Sequence, residues 1–336
     1  MKVYILILIT VFGFVGCKSK KESAEFFKRG NYHFKKNELD QALTFFSEAI
    51  EKDGNFADAY NNRGVVYLKL EKHKEAKEDF EKAIALDATF IEAKYNLAKL
   101  FSDQNKLPES EALFKDIQHK YKDSSDFMNH FGQNSIKMNK ISEGLFALTE
   151  SVRLDPQNVE AITNLGYVYT LQNENQKAKT EFEKALKINP NFAYALNNLA
   201  TIYEKENKLS EAIEYLKKAE KVNPIDIIIL NNLTLCYLET NSQSTAKNYL
   251  DKSERIAAEN PYTIRNRGIY EISYGDAKNG INTLTNLEKA HPDVEYIYYF
   301  LGKGYLKIGD KNSACKHIKT GKTLKDGKSE LLNAGC

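Results

Sequence analysis

The chain has 336 residues, of which 42% are hydrophobic and 28% are charged, and this balance argues against an intrinsically disordered protein. Its 48 basic and 46 acidic side chains leave a formal net charge of +2, and lysines and glutamates interleave without a basic block. Proteins that bind nucleic acid through its phosphates concentrate positive charge on one face. No nucleic-acid partner is therefore predicted.

The first segment of the chain has the pattern of an export signal. Lys2 precedes an apolar run over residues 3–16, which is shorter than the roughly 20 residues that a membrane-spanning helix needs. The run ends in Phe14-Val15-Gly16-Cys17, which resembles a bacterial lipobox, and this resemblance implies that Cys17 is lipidated and begins the mature chain. We therefore predict a signal peptide over 1–16 and a lipidated tether over 17–22. A signal cleaved elsewhere and a chance cysteine are the alternatives.

The residue after Cys17 bears on location. It is Lys18, whereas an Asp there would, by the same resemblance, favour retention in the inner membrane. The predicted location is the bacterial cell envelope, with a lipid anchor in the outer membrane and the protein facing the periplasm. An orientation toward the outside of the cell stays open.

Small residues recur at a spacing of 34 through the rest of the chain. They are Gly30, Gly64, Ala98, Gly132, Gly166, Ala200, Thr234, Gly268 and Gly302. Phe, Leu or Ile follows each of them sixteen residues later, and Ala follows six of them twelve residues later. A period of 34 without insertions predicts nine structural repeats over residues 23–328. We number the positions of each repeat 1–34, so that the small residue lies at position 8.

The period and these residue types resemble tetratricopeptide repeats. The resemblance implies an all-α fold, in which about nine repeats of two amphipathic helices stack into a right-handed superhelical solenoid with a concave face made mainly by the first helices. A small residue at position 8 lets the two helices approach, and the large apolar side chain at position 24 fills the space beside them. One repeat buries too little surface to be stable alone, so neighbours must stack. Repeats 3, 4 and 8 depart from the pattern, since Ser110, Gly144 and Gly280 replace the usual Ala.

The end of the chain is predicted to cover the last repeat. Residues 329–336 begin like a tenth first helix and are interpreted as a capping segment. Cys315 and Cys336 are predicted to form a disulfide there, which export to an oxidising compartment permits. Two free thiols are the alternative. Cys236 is interpreted as a small packing residue.

No catalytic motif stands out in the sequence. The histidines lie in six different repeats, and none has the spacing to a second histidine and a glutamate that zinc enzymes use. A phosphate-binding loop, a dinucleotide fingerprint and a nucleophile elbow are also absent from the sequence. We therefore predict a protein that is not an enzyme, with no cofactor and no metal.

One column of side chains suggests how a partner binds. Position 6 holds asparagine in six repeats: Asn62, Asn96, Asn164, Asn198, Asn232 and Asn266. A side-chain amide can both donate to and accept from the backbone of a peptide. The column resembles the asparagine ladder of some superhelical tetratricopeptide proteins, which implies peptide binding. Hydrogen bonding within the scaffold is the alternative.

Three further residues complete the predicted peptide-binding set. Tyr167 and Tyr194 lie at groove positions by the same resemblance, and tyrosine is favoured at interfaces because it has an apolar body and a polar tip. Arg265 lies at the position where chaperone-type repeats clamp a terminal carboxylate. Because Ile269 replaces the asparagine of that clamp, recognition of a terminal carboxylate is not expected.

The predicted function is that of a membrane-tethered scaffold, whose groove binds a protein or peptide segment of an envelope complex. The membrane contact is made through the lipid on Cys17. Two alternatives stay open: a structural envelope protein that self-associates without a peptide ligand, and a subunit that binds peptidoglycan or another glycan.

Overall fold

The structure, a computed structural model, describes residues 2–332 and 335, with side chains from residue 19 onward. These residues form eighteen α-helices and one short 3-10 helix, and no strand occurs among them. The predicted all-α fold is confirmed. The chain divides into two compact units, Met1–Asp155 and Pro156–Cys336, described below as the N-terminal and C-terminal units.

Each repeat contributes a first helix, with an odd number, and a second helix, with an even number, and the two pack against each other. The helices of the N-terminal unit are α1 (Lys2–Lys35), α2 (Leu39–Lys52), α3 (Ala57–Lys69), α4 (His73–Leu86), α5 (Ile91–Asp103), α6 (Leu107–Tyr121), α7 (Ser125–Lys137) and α8 (Ile141–Leu154). The helices of the C-terminal unit are α9 (Val159–Leu171), α10 (Asn175–Ile188), α11 (Ala193–Lys205), α12 (Leu209–Val222), α13 (Ile227–Glu239), α14 (Gln243–Ala257), α15 (Pro261–Tyr274), α16 (Ala277–Ala290), α17 (Ile297–Lys307) and α18 (Lys311–Leu324).

Helix α1 is longer than the other first helices. It runs through the residues predicted as signal peptide and tether, so no helix end marks a boundary at residue 17 or at residue 23. The division of this segment into signal peptide, tether and first repeat stays a prediction.

A residue in the left-handed conformation separates the two helices of most repeats. It lies at position 15 and is asparagine in six repeats: Asn37, Asn105, Asn139, Asn173, Asn207 and Asn241. Asparagine enters this conformation more readily than other residues with a side chain, because its short amide bonds locally. Glu71 has the same conformation in repeat 2, and Gly309 has it in repeat 9.

The small residue at position 8 is required by the side chain at position 24. A Cβ atom on Gly166 would lie 2.6 Å from a ring carbon of Phe182, and Phe182 is fully buried. Real contacts of this kind are not found below about 3 Å, so the ring would have to move. The packing inferred from the 34-residue spacing is therefore confirmed in repeat 5.

Repeat 8 departs from the alanine pattern for a physical reason. A Cβ atom on Gly280 would lie 2.6 Å from the backbone oxygen of Gly268 and 2.7 Å from the backbone nitrogen of Ile272. Helices α15 and α16 thus approach more closely than an alanine at this position would allow. What looks like degeneracy in the sequence is a requirement of the packing.

The segment after α18 differs from the predicted tenth helix, because it forms a single 3-10 turn over Ser329–Leu331. The carboxylate of Asp326 accepts hydrogen bonds from the backbone nitrogen of Ser329 (2.7 Å) and its hydroxyl (2.6 Å). The same carboxylate accepts from the backbone nitrogen of Tyr299 (3.1 Å), which ties the turn to α17. Lys328 is consequently buried, with 8% of its surface exposed.

Candidate functional site

The predicted asparagine column is hydrogen-bonded from one repeat to the next. The amide nitrogen of Asn96 donates to the amide oxygen of Asn61, at position 5 of the preceding repeat, over 3.0 Å. Asn232 donates in the same way to Asn197 over 2.9 Å. These amides join neighbouring first helices, which is the scaffold role that the sequence left open.

Other members of the column vary this arrangement. Asn62 donates to Asn31 over 2.8 Å. Asn266 is fully buried and donates to the backbone oxygen of Asn231 over 2.9 Å. Asn164 is not without a partner either. Peptide binding by these residues stays a prediction, and Asn266 would have to become exposed first.

Asn198 is the exception in the column. It is half-buried, and its side chain makes no hydrogen bond within the described part of the chain. The reason lies in the preceding repeat, where position 5 is Thr163 instead of asparagine, and its hydroxyl donates to the backbone oxygen of Val159 (2.8 Å). The amide of Asn198 is therefore free to pair with a ligand.

Exposed apolar side chains lie at position 2 of three successive repeats. Tyr194 is 64% exposed, Ile228 is 55% exposed and Tyr262 is 43% exposed. Their helices α11, α13 and α15 contact one another in sequence, so the side chains form a row. Positions 2, 6 and 9 share one side of a helix. We call this side of repeats 6–8 the first-helix face. Tyr194 lies on it, and Tyr167 is exposed at position 9 of repeat 5.

Arg265 is not on the exposed part of this face. Only 2% of it is exposed, and its guanidinium donates to the amide oxygen of Asn266 (3.2 and 3.3 Å) and to the backbone oxygen of Glu295 (3.1 Å). It also packs against the ring of Tyr262, 5.1 Å from the ring centre. Burial lowers the pKa of Arg265. Peptide binding by Arg265 stays a prediction.

A cleft opens beside Arg265 within the C-terminal unit. Its volume is about 360 Å³, including space open to solvent. Its walls include Asn232 and Tyr262, so it joins the asparagine column to the exposed row. Glu204 and Tyr296 also line it. The walls combine polar side chains such as Asn232 and Glu295 with apolar ones such as Leu216 and Leu235.

Glu204 and Tyr296 also belong to a buried charged cluster, which the sequence did not predict. The ammonium of Lys328 pairs with the carboxylates of Glu204 and Glu239. The hydroxyl of Tyr296 donates to Glu204 over 3.1 Å, and the ammonium lies 4.6 Å from the centre of the Tyr296 ring. Burial by itself would lower the pKa of Lys328, but the two carboxylates outweigh it and raise the pKa. Lys328 therefore remains charged at neutral pH.

Tyr296 reaches this cluster because it interrupts the register of repeat 9. It adopts a left-handed conformation, and α17 consequently begins two residues later than the repeat predicts. Tyrosine enters this conformation rarely, so no sequence rule would have placed it there.

The cysteines are only partly described. Cys236 is a free, buried thiol, and burial raises its pKa, as expected of a packing residue. Cys315 is disulfide-bonded. Its predicted partner Cys336 lies outside the described residues, so the pairing of the two stays a prediction. The side chain of Cys17 also lies outside them, and lipidation stays a prediction.

The described residues contain neither a membrane-spanning helix nor a metal-binding cluster. None of the helices in that part of the chain is long and apolar enough to cross a membrane. No group of three or more histidine, cysteine, aspartate or glutamate side chains among them is placed to hold a metal ion.

Comparison with protein families agrees with the architecture. Profiles described as tetratricopeptide repeat match residues 57–90, 159–192 and 181–214. A profile described as TPR repeat matches residues 30–71. The chain is a tetratricopeptide-repeat protein. Tetratricopeptide-repeat domains bind proteins and peptides, and scaffolds of this kind are generally not enzymes.

Individual relatives share parts of this tetratricopeptide-repeat protein. Protein unc-45 homolog B of Danio rerio is 35% identical over 102 residues, which are 29% of this chain and 11% of that protein. The chain thus spans about a tenth of the length of this curated relative.

Solved structures extend the likeness over more of the chain. PilF of Pseudomonas aeruginosa is 21% identical, with a TM-score of 0.53 over 62% of this chain and 94% of that one. The APC/C hetero-tetramer Cut9–Hcn1 is 14% identical, with a TM-score of 0.60 over 91% of this chain and 73% of that one. At these identities the likeness establishes a shared fold alone.

Proposed function

We propose that this protein is a scaffold that binds a segment of another protein on the first-helix face of repeats 6–8. The observation that carries the proposal is the exposed row Tyr194, Ile228 and Tyr262 beside the unpaired amide of Asn198. The row supplies apolar surface for side chains of the segment, and the amide supplies a donor and an acceptor for one of its peptide groups.

Repeats 2 to 5 form their first helices without an apolar residue at position 2. The same position is acidic and exposed in repeats 2 to 5: Asp58, Glu92, Asp126 and Glu160. An acidic residue in the first turn favours a helix by about 0.3–1 kcal/mol, because it opposes the positive end of the helix dipole. Repeats 6–8 lack this stabilisation of the helix N-terminus and expose large apolar side chains at position 2 instead. Contiguous exposed apolar surface of this kind marks interaction sites.

The membrane part of the proposal is that lipidated Cys17 tethers the scaffold to the bacterial envelope, in the outer membrane and facing the periplasm, where it supports a protein complex. The support for it is the short apolar run that ends in Phe14-Val15-Gly16-Cys17. The bound segment would then belong to another envelope protein.

In-cell photocrosslinking tests the binding face. A photoreactive residue at Asn198 is expected to capture a discrete partner, and the same residue at Glu214 serves as control, since Glu214 is exposed on the second helix α12 of the same repeat. The triple substitution Tyr194→Ser, Ile228→Ser and Tyr262→Ser is expected to abolish capture. Equal capture from both positions would rule out the first-helix face.

The tether needs a separate test. Cys17→Ser is expected to abolish incorporation of an alkyne-labelled fatty acid and to release the protein from the membrane fraction. Cys236→Ser is the matched control, because that thiol is buried within a repeat. Unchanged fatty-acid labelling of the Cys17→Ser variant would refute the anchor.

A further inference from the structure

The buried cluster in the C-terminal unit has the chemistry of a receptor for a lysine side chain. We call Glu204, Glu239 and Tyr296 the lysine site. Glu204 lies on α11 and Glu239 lies at the end of α13, and both carboxylates contact the same ammonium, that of Lys328. The ring of Tyr296 covers this ammonium at 4.6 Å. An ammonium has three donors and a compact charge, and two carboxylates with an aromatic face match both properties.

The lysine site is not self-sufficient. Two buried carboxylates that converge on one point repel each other and lose hydration, so both stay ionised only when a cation lies between them. Burial raises the pKa of Glu239, and the ammonium opposes this rise. The charge of Glu204 and Glu239 is therefore balanced when the ammonium of a lysine lies between them.

The residue that fills the site comes from a segment with few other attachments. Around Lys328, only Ser329 is also buried, whereas Glu330 and Leu331 are exposed. Among the described residues, Asp326 holds the segment by accepting hydrogen bonds from Ser329 and Tyr299, and the predicted disulfide between Cys315 and Cys336 would keep the end of the chain close to α18. Segments with few buried residues open locally at a free energy below that of global unfolding. Lys328 can consequently leave the site without unfolding a repeat.

The lysine site also adjoins the proposed binding face. Glu204 and Tyr296 line the cleft whose other walls include Asn232 and Tyr262. Tyr262 belongs to the exposed row as well, so residues of the row and of the lysine site line the same cleft. A segment bound along the first-helix face can place a side chain there.

We propose that the lysine site receives a lysine side chain of the bound partner segment, and that Lys328 is the internal occupant that this lysine displaces. The inference rests on the proposed function and adds the chemistry of the partner: a segment that carries a lysine next to residues suited to an apolar row. Residues 326–332, which we call the tail segment, then compete with the partner for one site.

A peptide-binding experiment on the full chain tests this proposal. The probe is a fluorescein-labelled peptide with the sequence of residues 326–332, Asp-Gly-Lys-Ser-Glu-Leu-Leu. Lys328→Ala removes the internal occupant, which acts at an effective concentration on the order of millimolar. Fluorescence anisotropy is expected to show binding at least about tenfold tighter than to wild type. Lys322→Ala, which changes an exposed lysine of α18, is the control and is expected to match wild type.

A second variant covers the case in which Lys328→Ala does not fold. Asp326→Ala leaves the lysine site and Lys328 intact but removes the hydrogen bonds that hold the tail segment against α17. It is expected to bind the peptide more tightly than wild type and less tightly than Lys328→Ala. A peptide with Met in place of Lys is expected to lose binding to both variants.

Three results would overturn the proposal. They are equal affinity of wild type and a folded Lys328→Ala variant, equal affinity for the Lys and Met peptides, and a wild-type dimer that Lys328→Ala dissociates. The last result would assign the lysine to a second copy of the chain. Crosslinking at Asn198 with no preference for the Lys peptide would reject the lysine site and leave the proposed function standing.

Discussion

Repeats 2–3 of the N-terminal unit and repeats 6–8 of the C-terminal unit use the same packing but present different first-helix sides. Position 2 is Asp58 and Glu92 in the former, and it is an exposed apolar row in the latter. The asparagine of repeat 3 is paired with Asn61, whereas Asn198 of repeat 6 is unpaired. Positions 8 and 24 hardly vary, because packing determines them. Residues that bind a partner are therefore expected at surface positions, such as position 2, where the side chain is not the one that favours helix stability.

The largest expected effect is confined to the C-terminal unit. Lys328→Met leaves Glu204 and Glu239 buried without a cation, and removing one partner of a buried ion pair typically costs about 3–5 kcal/mol. Because water can enter once the tail leaves, this range is an upper bound. Hydrogen exchange should accelerate in α11 and α13 and stay unchanged in α3 and α5. Adding Glu204→Gln and Glu239→Gln should restore part of the protection, and a uniform loss in both units would contradict the assignment.

Part of the stability lost by the Lys328→Met variant should depend on pH. Burial raises the pKa of Glu239, and Lys328→Met removes the ammonium that opposes the rise, so the pKa of Glu239 increases further. An acid whose pKa is higher in the folded state stabilises that state below its unfolded pKa of about 4.3 and loses this stabilisation as pH rises through the folded pKa. The gap in melting temperature between wild type and variant should widen from about pH 4 to about pH 8. Glu204 and Lys303 also face Glu239, so Glu239→Gln in the same background should flatten the trend.

The next effect tests the close approach in repeat 8. Gly280→Ala restores the residue usual at position 20 and gains about 1 kcal/mol of helix propensity. Its Cβ atom would nevertheless meet the backbone of Gly268 at 2.6 Å, and overpacking costs about 1–3 kcal/mol. A net loss of stability in urea unfolding is expected. Ala212→Gly, at the same position of repeat 6, is the control and should lose about 1 kcal/mol. A more stable Gly280→Ala variant would show that the helices separate without cost.

The paired and unpaired asparagines give a direct comparison of the two units. Asn96→Ala removes the donor to Asn61 and is expected to cost about 1 kcal/mol. Asn198→Ala removes no hydrogen bond within the described residues and should change stability by less than about 0.5 kcal/mol. In exchange, Asn198→Ala should reduce capture of the partner at a crosslinker placed on Ile228, and Asn96→Ala should not. Equal destabilisation by the two substitutions would show that Asn198 is also a scaffold residue.

The smallest effect is a gain in the N-terminal unit. Glu71 adopts the left-handed conformation that asparagine supplies in six other repeats. Glu71→Asn should stabilise repeat 2 by about 0.5–1 kcal/mol, since the left-handed region costs most side chains about 1–2 kcal/mol. The matched reverse substitution, Asn207→Glu, should destabilise repeat 6 by a similar amount in thermal unfolding. No change in either variant would mean that the turn relaxes around its residue.

Most of the fold was predictable because it repeats. Gly166 lies at position 8 and Phe182 lies at position 24. Because these positions carry small and large apolar residues, respectively, in all nine repeats, their role in helix packing can be predicted from the sequence. The asparagine at position 15 formed such a column too and would have located the turn of each repeat. By contrast, the lysine site depends on single events: Tyr296 adopts a left-handed conformation, and Lys328 contacts a residue 124 positions away. Neither feature recurs in the other repeats, so the repeat pattern of the sequence could not predict them.

The contact between Tyr296 and Glu204 joins residues 92 positions apart, which is far for a chain of this architecture. In a linear array each repeat contacts only its neighbours, so unfolding usually starts at a free end of the array and proceeds repeat by repeat. In this protein, the hydrogen bond from Tyr296 to Glu204 connects the ninth repeat to the sixth. The terminal four repeats should consequently resist fraying and open as one block, with a sharper transition than their length alone would give.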